Sequence, residues 1–194
     1  DVFPLGPAVR VPVRIALSPR RVWINDGAGD PGLHVLGEAF EQVVSIGRVG
    51  DGPNDFLRFP ARVVNDPRVP SRVWALDLGN DRMLAFHEST PIEAERTSIP
   101  LPNLAIRAAW LGGDRILAVM PTENRRFVFL DTLGVETGSA DMVLPGPPTD
   151  LEARRAIGNS GFEICTSPEV GAFVIAYRNT LEVKVFDSRG SPSA

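Results

Sequence analysis

Apolar residues along this chain come in short runs, each closed by Gly, Pro, Asn or Asp. Runs at 13–17, 21–25, 33–36 and 42–46 follow one another, separated by a Ser18-Pro19 turn, a Gly/Asp loop over 26–32 and a break at Gly37. A second set lies at 61–64, 72–76, 82–87 and, more weakly, 96–101. A third occupies 104–110, 115–119, 127–130 and 142–144, and a fourth 162–166, 172–177 and 181–186. β-Branched and aromatic residues dominate the runs and turn residues bound them, which predicts short strands rather than helices. One helix of a turn or two is expected over 150–156, with Asp150 as its N-cap and Glu152 in its first turn.

The runs repeat. Aligning the second strand of each set on Val22-Trp23-Ile24, Val73-Trp74-Ala75, Ile116-Leu117-Ala118 and Phe173-Val174-Ile175 gives offsets of 51, 43 and 57 residues. A loose period of about 50 falls in the range of propeller blades and kelch-like repeats. A single four-stranded unit cannot bury both its faces, whereas radial stacking of neighbours can. The expected fold is therefore all-β: a β-propeller of about four blade-like repeats of four short antiparallel strands, at 13–47, 57–101, 104–145 and 155–190. Residues 1–12 precede it as an extended arm, where Pro4, Pro7 and Pro12 interrupt Val2, Phe3, Leu5, Val9 and Val11. Prolines at that density suit an edge strand.

The stretch Gly50-Asp51-Gly52-Pro53-Asn54-Asp55-Phe56, then Phe59-Pro60, closed by Asp77-Leu78-Gly79-Asn80-Asp81-Arg82-Met83-Leu84-Ala85-Phe86, resembles an NHL repeat. More broadly it is similar to the six-bladed β-propellers of bacterial envelopes and their lipoprotein-type relatives. Residues 47–87 match best, 114–131 and 172–190 less well, and the first unit least. The resemblance implies a blade, part of a six-bladed ring, and an extracytoplasmic location, with attachment to a membrane complex among the options. Four units stand where the family has six, and the last lacks its fourth strand. Either the arm supplies that strand beside 181–186, or further blades lie outside this sequence.

Composition then narrows function. The 194 residues are 43% hydrophobic and 23% charged, with 18 Gly and 18 Pro, ordinary for a globular domain apart from the turn residues. A formal charge of −4 without any basic run excludes a nucleic-acid footprint. Lys184 is the single lysine among 20 basic residues. No apolar run approaches the roughly 20 residues that span a bilayer as a helix. Cys165 is alone, so an intrachain disulfide is ruled out. The chain begins at Asp1 rather than Met, which leaves removal of a leader open.

Candidate chemistry is sparse. The only histidines, His34 and His87, cannot make the three-His zinc site of the NHL-type amidating lyases. Asp51, Asp55, Asp66 and Asp77 read as turn formers, since they lack the ladder and closing Glu of a calcium loop. Cys165 reads as a small buried apolar residue. Ser160 lacks the strand–turn–helix context of a nucleophile elbow, and Gly50, Gly52 and Pro53 lack the Lys of a phosphate cradle. Trp23 and Trp74 hold equivalent second-strand positions, which favours core packing, and Trp110 lies in a first strand. The paired charges Arg125, Arg126, Arg154 and Arg155 are solvated residues by default and the candidate contacts for an acidic partner.

With no catalytic residue, metal site or cofactor indicated, the favoured reading is a non-enzymatic scaffold that binds protein partners, as an accessory subunit of an envelope or membrane-attached assembly. The alternatives are a propeller-type metal-dependent hydrolase or lyase, using Asp, Glu and Asn, and a sensor domain for a small ligand.

Overall fold

The computed structural model describes residues 9, 12–27, 32–48, 50–52, 55–57, 62–103, 105–120, 126–141, 162–167, 169, 171–177 and 182–192. They form four antiparallel sheets in two compact units, Asp1–Leu101 and Pro102–Ala194. In the first unit one sheet runs β1 (Pro12–Ser18), β2 (Arg21–Asp26), β3 (Leu33–Leu36), β4 (Gln42–Ile46). The other runs β5 (Arg62–Asn65), β6 (Arg72–Asp77), β7 (Arg82–His87), β8 (Thr90–Pro100). The second unit holds β9 (Arg107–Gly112), β10 (Arg115–Met120), β11 (Arg126–Leu130) and β12 (Glu136–Asp141), followed by a three-stranded sheet of β13 (Phe162–Ser167), β14 (Ala172–Tyr177) and β15 (Glu182–Phe186). Every sheet is a meander in chain order, and the fold is all-β, of β-propeller type, with four blade sheets.

In the three four-stranded sheets the second and third strands are apolar on both sides of the pleat, and both their faces are largely buried. In β6, Val73 through Asp77 are all buried, and so are Ile116 through Val119 in β10. A strand with one wet face would alternate instead. Within the first unit, Ala16, Trp23, Leu33, Val35 and Ile46 of one sheet meet Val63, Val73, Ala75, Leu84 and Phe86 of the other. The Trp23 and Phe86 rings stand 6.3 Å apart and tilted, and Phe56 enters from a loop 6.5 Å from Phe86. The second unit repeats the plan. Leu111, Leu117, Val119, Phe127 and Phe129 pack on Ile164, Phe173, Ile175 and Phe186. Phe173 and Phe186 stack at 5.0 Å, and Phe127 meets both edge-on, the geometry that the ring quadrupole favours.

The repeat alignment extends to faces. Trp23 and Leu117 hold equivalent positions, and each lies on the face of its sheet that packs against the next one. Val73 and Phe173, equivalent to each other, lie on the face that receives it. Trp23 and Trp74 are buried as expected, and Trp110 is buried too.

Two of the fourth strands depart from expectation, whereas β4 occupies Gln42–Ile46 as expected. β8 starts at Thr90, well before 96, and β12 occupies Glu136–Asp141 rather than 142–144, which lie outside the described residues. β9 likewise begins at Arg107 rather than 104. An outermost strand has one neighbour and a largely wet surface, so it carries no apolar run to announce it. In β12 only Gly138 and Ala140 are partly buried, while Thr137 is exposed and its hydroxyl donates to the Phe129 carbonyl. Ala140 stands close against Gly190 of the neighbouring sheet. A Cβ added to Gly190 would lie 2.8 Å from the Ala140 Cβ and 3.1 Å from Phe129. The 150–156 helix and the placement of the arm beside 181–186 lie outside the described residues. Only the end of the arm is seen, where Pro12 opens β1 opposite Asp26.

Because Trp23 fills the space between the two sheets of its unit, Trp23→Ala should lower unfolding free energy by about 3–5 kcal/mol in urea titration. A loss under about 1 kcal/mol would mean that the site collapses around the cavity or that the ring was never packed.

Candidate functional site

Most of the polar residues singled out in the sequence are spent on building turns. Asp77, fully buried at the end of β6, accepts from the Leu57 amide at 3.3 Å, from Asn80 at 2.7 Å and from Arg82 Nε at 3.0 Å. Arg82 also donates to the carbonyls of Gly52 and Asp55, and Asn80 to that of Gly50. This clasp holds 50–52 and 55–57 in place and delivers Phe56 to the core. Gly50 and Gly52 are needed there, since a Cβ on either would strike the Asp55 carboxylate.

Asp66 is a second clasp. It accepts from Trp74 Nε1 at 2.9 Å and from the Arg68 side chain and backbone, with Arg72 at 3.5 Å. Burial pushes its carboxyl up, but the hydrogen bonds from Arg68 and Trp74 outweigh burial and hold it below the ordinary value. His87 is satisfied on both ring nitrogens, by Ser71 and Ser89 at 2.8 Å each.

One constellation escaped the sequence reading. His34, buried in β3, pairs through Nδ1 with Ser45 Oγ at 2.8 Å, and its Nε2 stands 3.5 Å from the buried Asp26 carboxylate. Register makes this line, because His34 lies opposite Ser45 of β4 while Asp26 ends β2. Spacings of eight and eleven residues across three strands leave no linear motif to find.

The turns between third and fourth strands offer the most accessible features. Asp131 and Asp187 build the same turn. Each Oδ1 accepts the amides two and four residues on at 2.8–2.9 Å, and Gly134 and Gly190 take the left-handed position with φ near 80°. Those amides, of Ser191 and Arg189, hold the Asp187 carboxyl below its ordinary value. In the first sheet Gly37 stands where Asp does, the Glu41 carboxylate takes the Ala39 amide, and the left-handed position falls to Phe40, φ 62°. A bulky residue there is strained by about 1–3 kcal/mol. Phe40 is nevertheless 46% exposed, and in the third sheet's turn Leu133 is 74% exposed with Val135 beside it.

Of the four arginines expected at an interface, Arg126 is described and exposed. Its guanidinium donates to Glu136 at 3.0 Å and Ser139 at 2.6 Å, across β11 and β12. Arg125, Arg154 and Arg155 lie outside the described residues, as does Ser160. Cys165 is exposed, not buried as expected. Strand alternation sends Ile164 to the core and its neighbour to the opposite face. Among the described residues no three His, Cys, Asp or Glu side chains converge as metal ligands do, and no helix is long and apolar enough to cross a membrane.

No family model and no curated protein matches the chain. Solved structures do. A candidate exported protein of Bacteroides fragilis superposes with a TM-score of 0.63 at 16% identity, over 99% of this chain and 52% of that one. Virginiamycin B lyase of Staphylococcus aureus, solved with quinupristin, matches with a TM-score of 0.56 at 14% identity, over 92% and 53%. BBS1N in complex with ARL6DN matches with a TM-score of 0.51 at 15% identity, over 90% and 48%. At these identities the likeness is one of fold, and it supports the propeller without singling out NHL repeats. The chain spans about half the length of the structures it matches.

Linkage makes Asp66 a pH probe. Its folded carboxyl titrates below the unfolded one, so its contribution is complete above the ordinary value of 3.8 and is lost as pH falls through the lowered folded value. Urea midpoints should therefore drop on acidification below about pH 4. Asp66→Asn should flatten that limb. An unchanged limb in the variant would show that other carboxylates set it.

Proposed function

We propose that this chain is a non-enzymatic propeller scaffold whose third-to-fourth-strand turns present apolar side chains to a protein partner. The observation that carries the reading is Phe40. Sibling turns place Gly at the strained position, and here a large aromatic occupies it while remaining half-exposed. Strain kept at an exposed aromatic is the expected trace of a binding contact, since tyrosine-, tryptophan- and phenylalanine-type anchors dominate interface energetics. Arg125, Arg126, Arg154 and Arg155 are proposed as further contacts for an acidic partner, and Arg126 is already engaged by Glu136. The match to BBS1N, solved in a complex, and to a candidate exported protein supports a partner-binding role outside the cytoplasm, in an envelope or membrane-attached assembly, by analogy of fold.

A second reading is hydrolytic or lytic, and the Ser45–His34–Asp26 line favours it. In that reading His34 would take the Ser45 proton while Asp26 orients the ring. Two features weigh against it: Ser45 addresses Nδ1 of a ring that is itself buried, and the carboxylate stands at 3.5 Å, long for a hydrogen bond. Hydrolysis of an ester panel that Ser45→Ala abolishes, with folding intact, would establish this reading over the first.

The scaffold reading predicts an uncommon pairing of effects for Phe40→Gly. Melting temperature should hold or rise as the strain is relieved, while a photo-crosslinking residue placed at Glu38 should lose the partner that it captures in the otherwise unaltered chain. A lower melting temperature with capture unchanged would make Phe40 a structural residue and overturn the proposal.

A further inference from the structure

The turn from β7 to β8 is held by one imidazole. His87 Nδ1 accepts the Ser89 amide at 3.2 Å and stands 2.8 Å from the Ser89 hydroxyl, while Nε2 stands 2.8 Å from the Ser71 hydroxyl. The amide decides the state of the ring. A backbone N–H is only a donor, so the nitrogen that accepts it carries a lone pair and no proton. His87 is therefore neutral in this arrangement, with its hydrogen on Nε2 and directed at Ser71 Oγ.

A proton added at Nδ1 treats the two Ser89 groups differently. The hydroxyl can turn and accept the new N–H, but the amide cannot reverse, so two N–H groups would point at each other across the turn. One of them must move. Between them in the chain lies Glu88, which is tied twice: its amide donates to the Ser71 carbonyl at 2.9 Å, and its carboxylate accepts the Arg20 amide at 3.1 Å. Arg20 lies between β1 and β2, so the Glu88 carboxylate joins the two sheets of the first unit where these hairpins turn.

Every element against the ring contributes to its charge setting. On β6, Arg72 lies opposite His87 and also reaches Asp66, which the Arg68 side chain holds in the loop before Ser71. On β8 the residue opposite is the uncharged Thr90. The turn itself supplies Glu88, with the Arg20 amide beyond it. Arg72 opposes a charged ring and Glu88 favours one. Ser89 and Thr90 are exposed and His87 is half-buried, so a proton reaches the ring without opening the sheets.

We propose that His87 is a proton-operated latch: protonation at Nδ1 releases the Ser89 amide, loosens the 87–90 turn and weakens the Glu88–Arg20 tie between the two sheets. The neutral ring keeps the latch closed. This device stands independently of the partner-binding role of Phe40.

Nuclear magnetic resonance of the full chain tests it between about pH 8 and pH 5, the window in which histidine side chains change charge. At the upper end the His87 ring nitrogen signals should show the hydrogen on Nε2 alone; a hydrogen on Nδ1 there would overturn the proposal. On acidification, amide–water exchange at Ser89 is taken relative to an unstructured chain at the same pH. It should rise about fivefold, as loss of one hydrogen bond implies, with a smaller rise at Arg20. Amides of β6 such as Ala75 should stay protected, which separates the latch from unfolding. His87→Asn offers Oδ1 to the Ser89 amide but has no nitrogen that takes a proton, so its relative exchange should be the same at both ends. No rise in the unaltered chain, or a rise that persists in His87→Asn, would overturn the latch. A rise at Ser89 with Arg20 unmoved would overturn its link to the β1–β4 sheet.

Discussion

Everything in this protein depends on sheets whose inner strands carry apolar side chains that another sheet must cover. An isolated meander of four short strands gains too little burial to stand alone. Laid face to face in pairs, the same sheets bury Trp23 with Phe86 in one unit and three phenylalanines in the other. Second-strand positions decide which face goes where, and they repeat from sheet to sheet. That repetition lets a chain without any linear catalytic motif specify its architecture.

Polar groups serve that packing. Asp77 and Arg82 bind a loop whose product is the insertion of Phe56, and Asp66 ties Trp74 to two arginines beside it. Buried carboxylates of this kind tolerate removal badly because their donors would be left unpaired. They therefore look conspicuous, in sequence and structure alike, without carrying chemistry on a substrate. Features that do not serve packing stand out against this background. Phe40 holds a strained backbone that Gly would relieve, and the Ser45–His34–Asp26 line puts a base between a hydroxyl and a carboxylate.

The fold was largely legible because blade cores repeat: the second and third strands announce themselves as apolar runs, and their alignment correctly grouped Trp23 with Trp74. The outer strands were not legible at the same resolution. β12 is polar because it lies at an edge, and its inward Ala140 is crowded by Gly190 rather than marked by hydrophobicity. Cys165 was misplaced because residue type was weighed over alternation: in β13 it shares a side of the strand with Glu163 and Ser167, opposite the core residue Ile164. The candidate sites were barely legible. Strain at Phe40 depends on a backbone angle that the turn imposes, and it could have been suspected only by aligning Gly37–Glu41 on the Asp131 and Asp187 turns. The His34 line exists only through strand register. The resemblance to NHL repeats named the architecture but left its chemistry open, as likeness of fold does.

The account's central claim is that apolar contact between sheets, not the polar clasps, holds each unit together. A double-mutant cycle across the inter-sheet contact tests it most directly, using Trp23→Leu, Phe86→Leu and the pair, with each stability read from urea unfolding. The account predicts a coupling of about 0.5–1.5 kcal/mol between the two rings, as for packed aromatic pairs. Losses that add to within roughly 0.3 kcal/mol, as they do for distant independent sites, would contradict it.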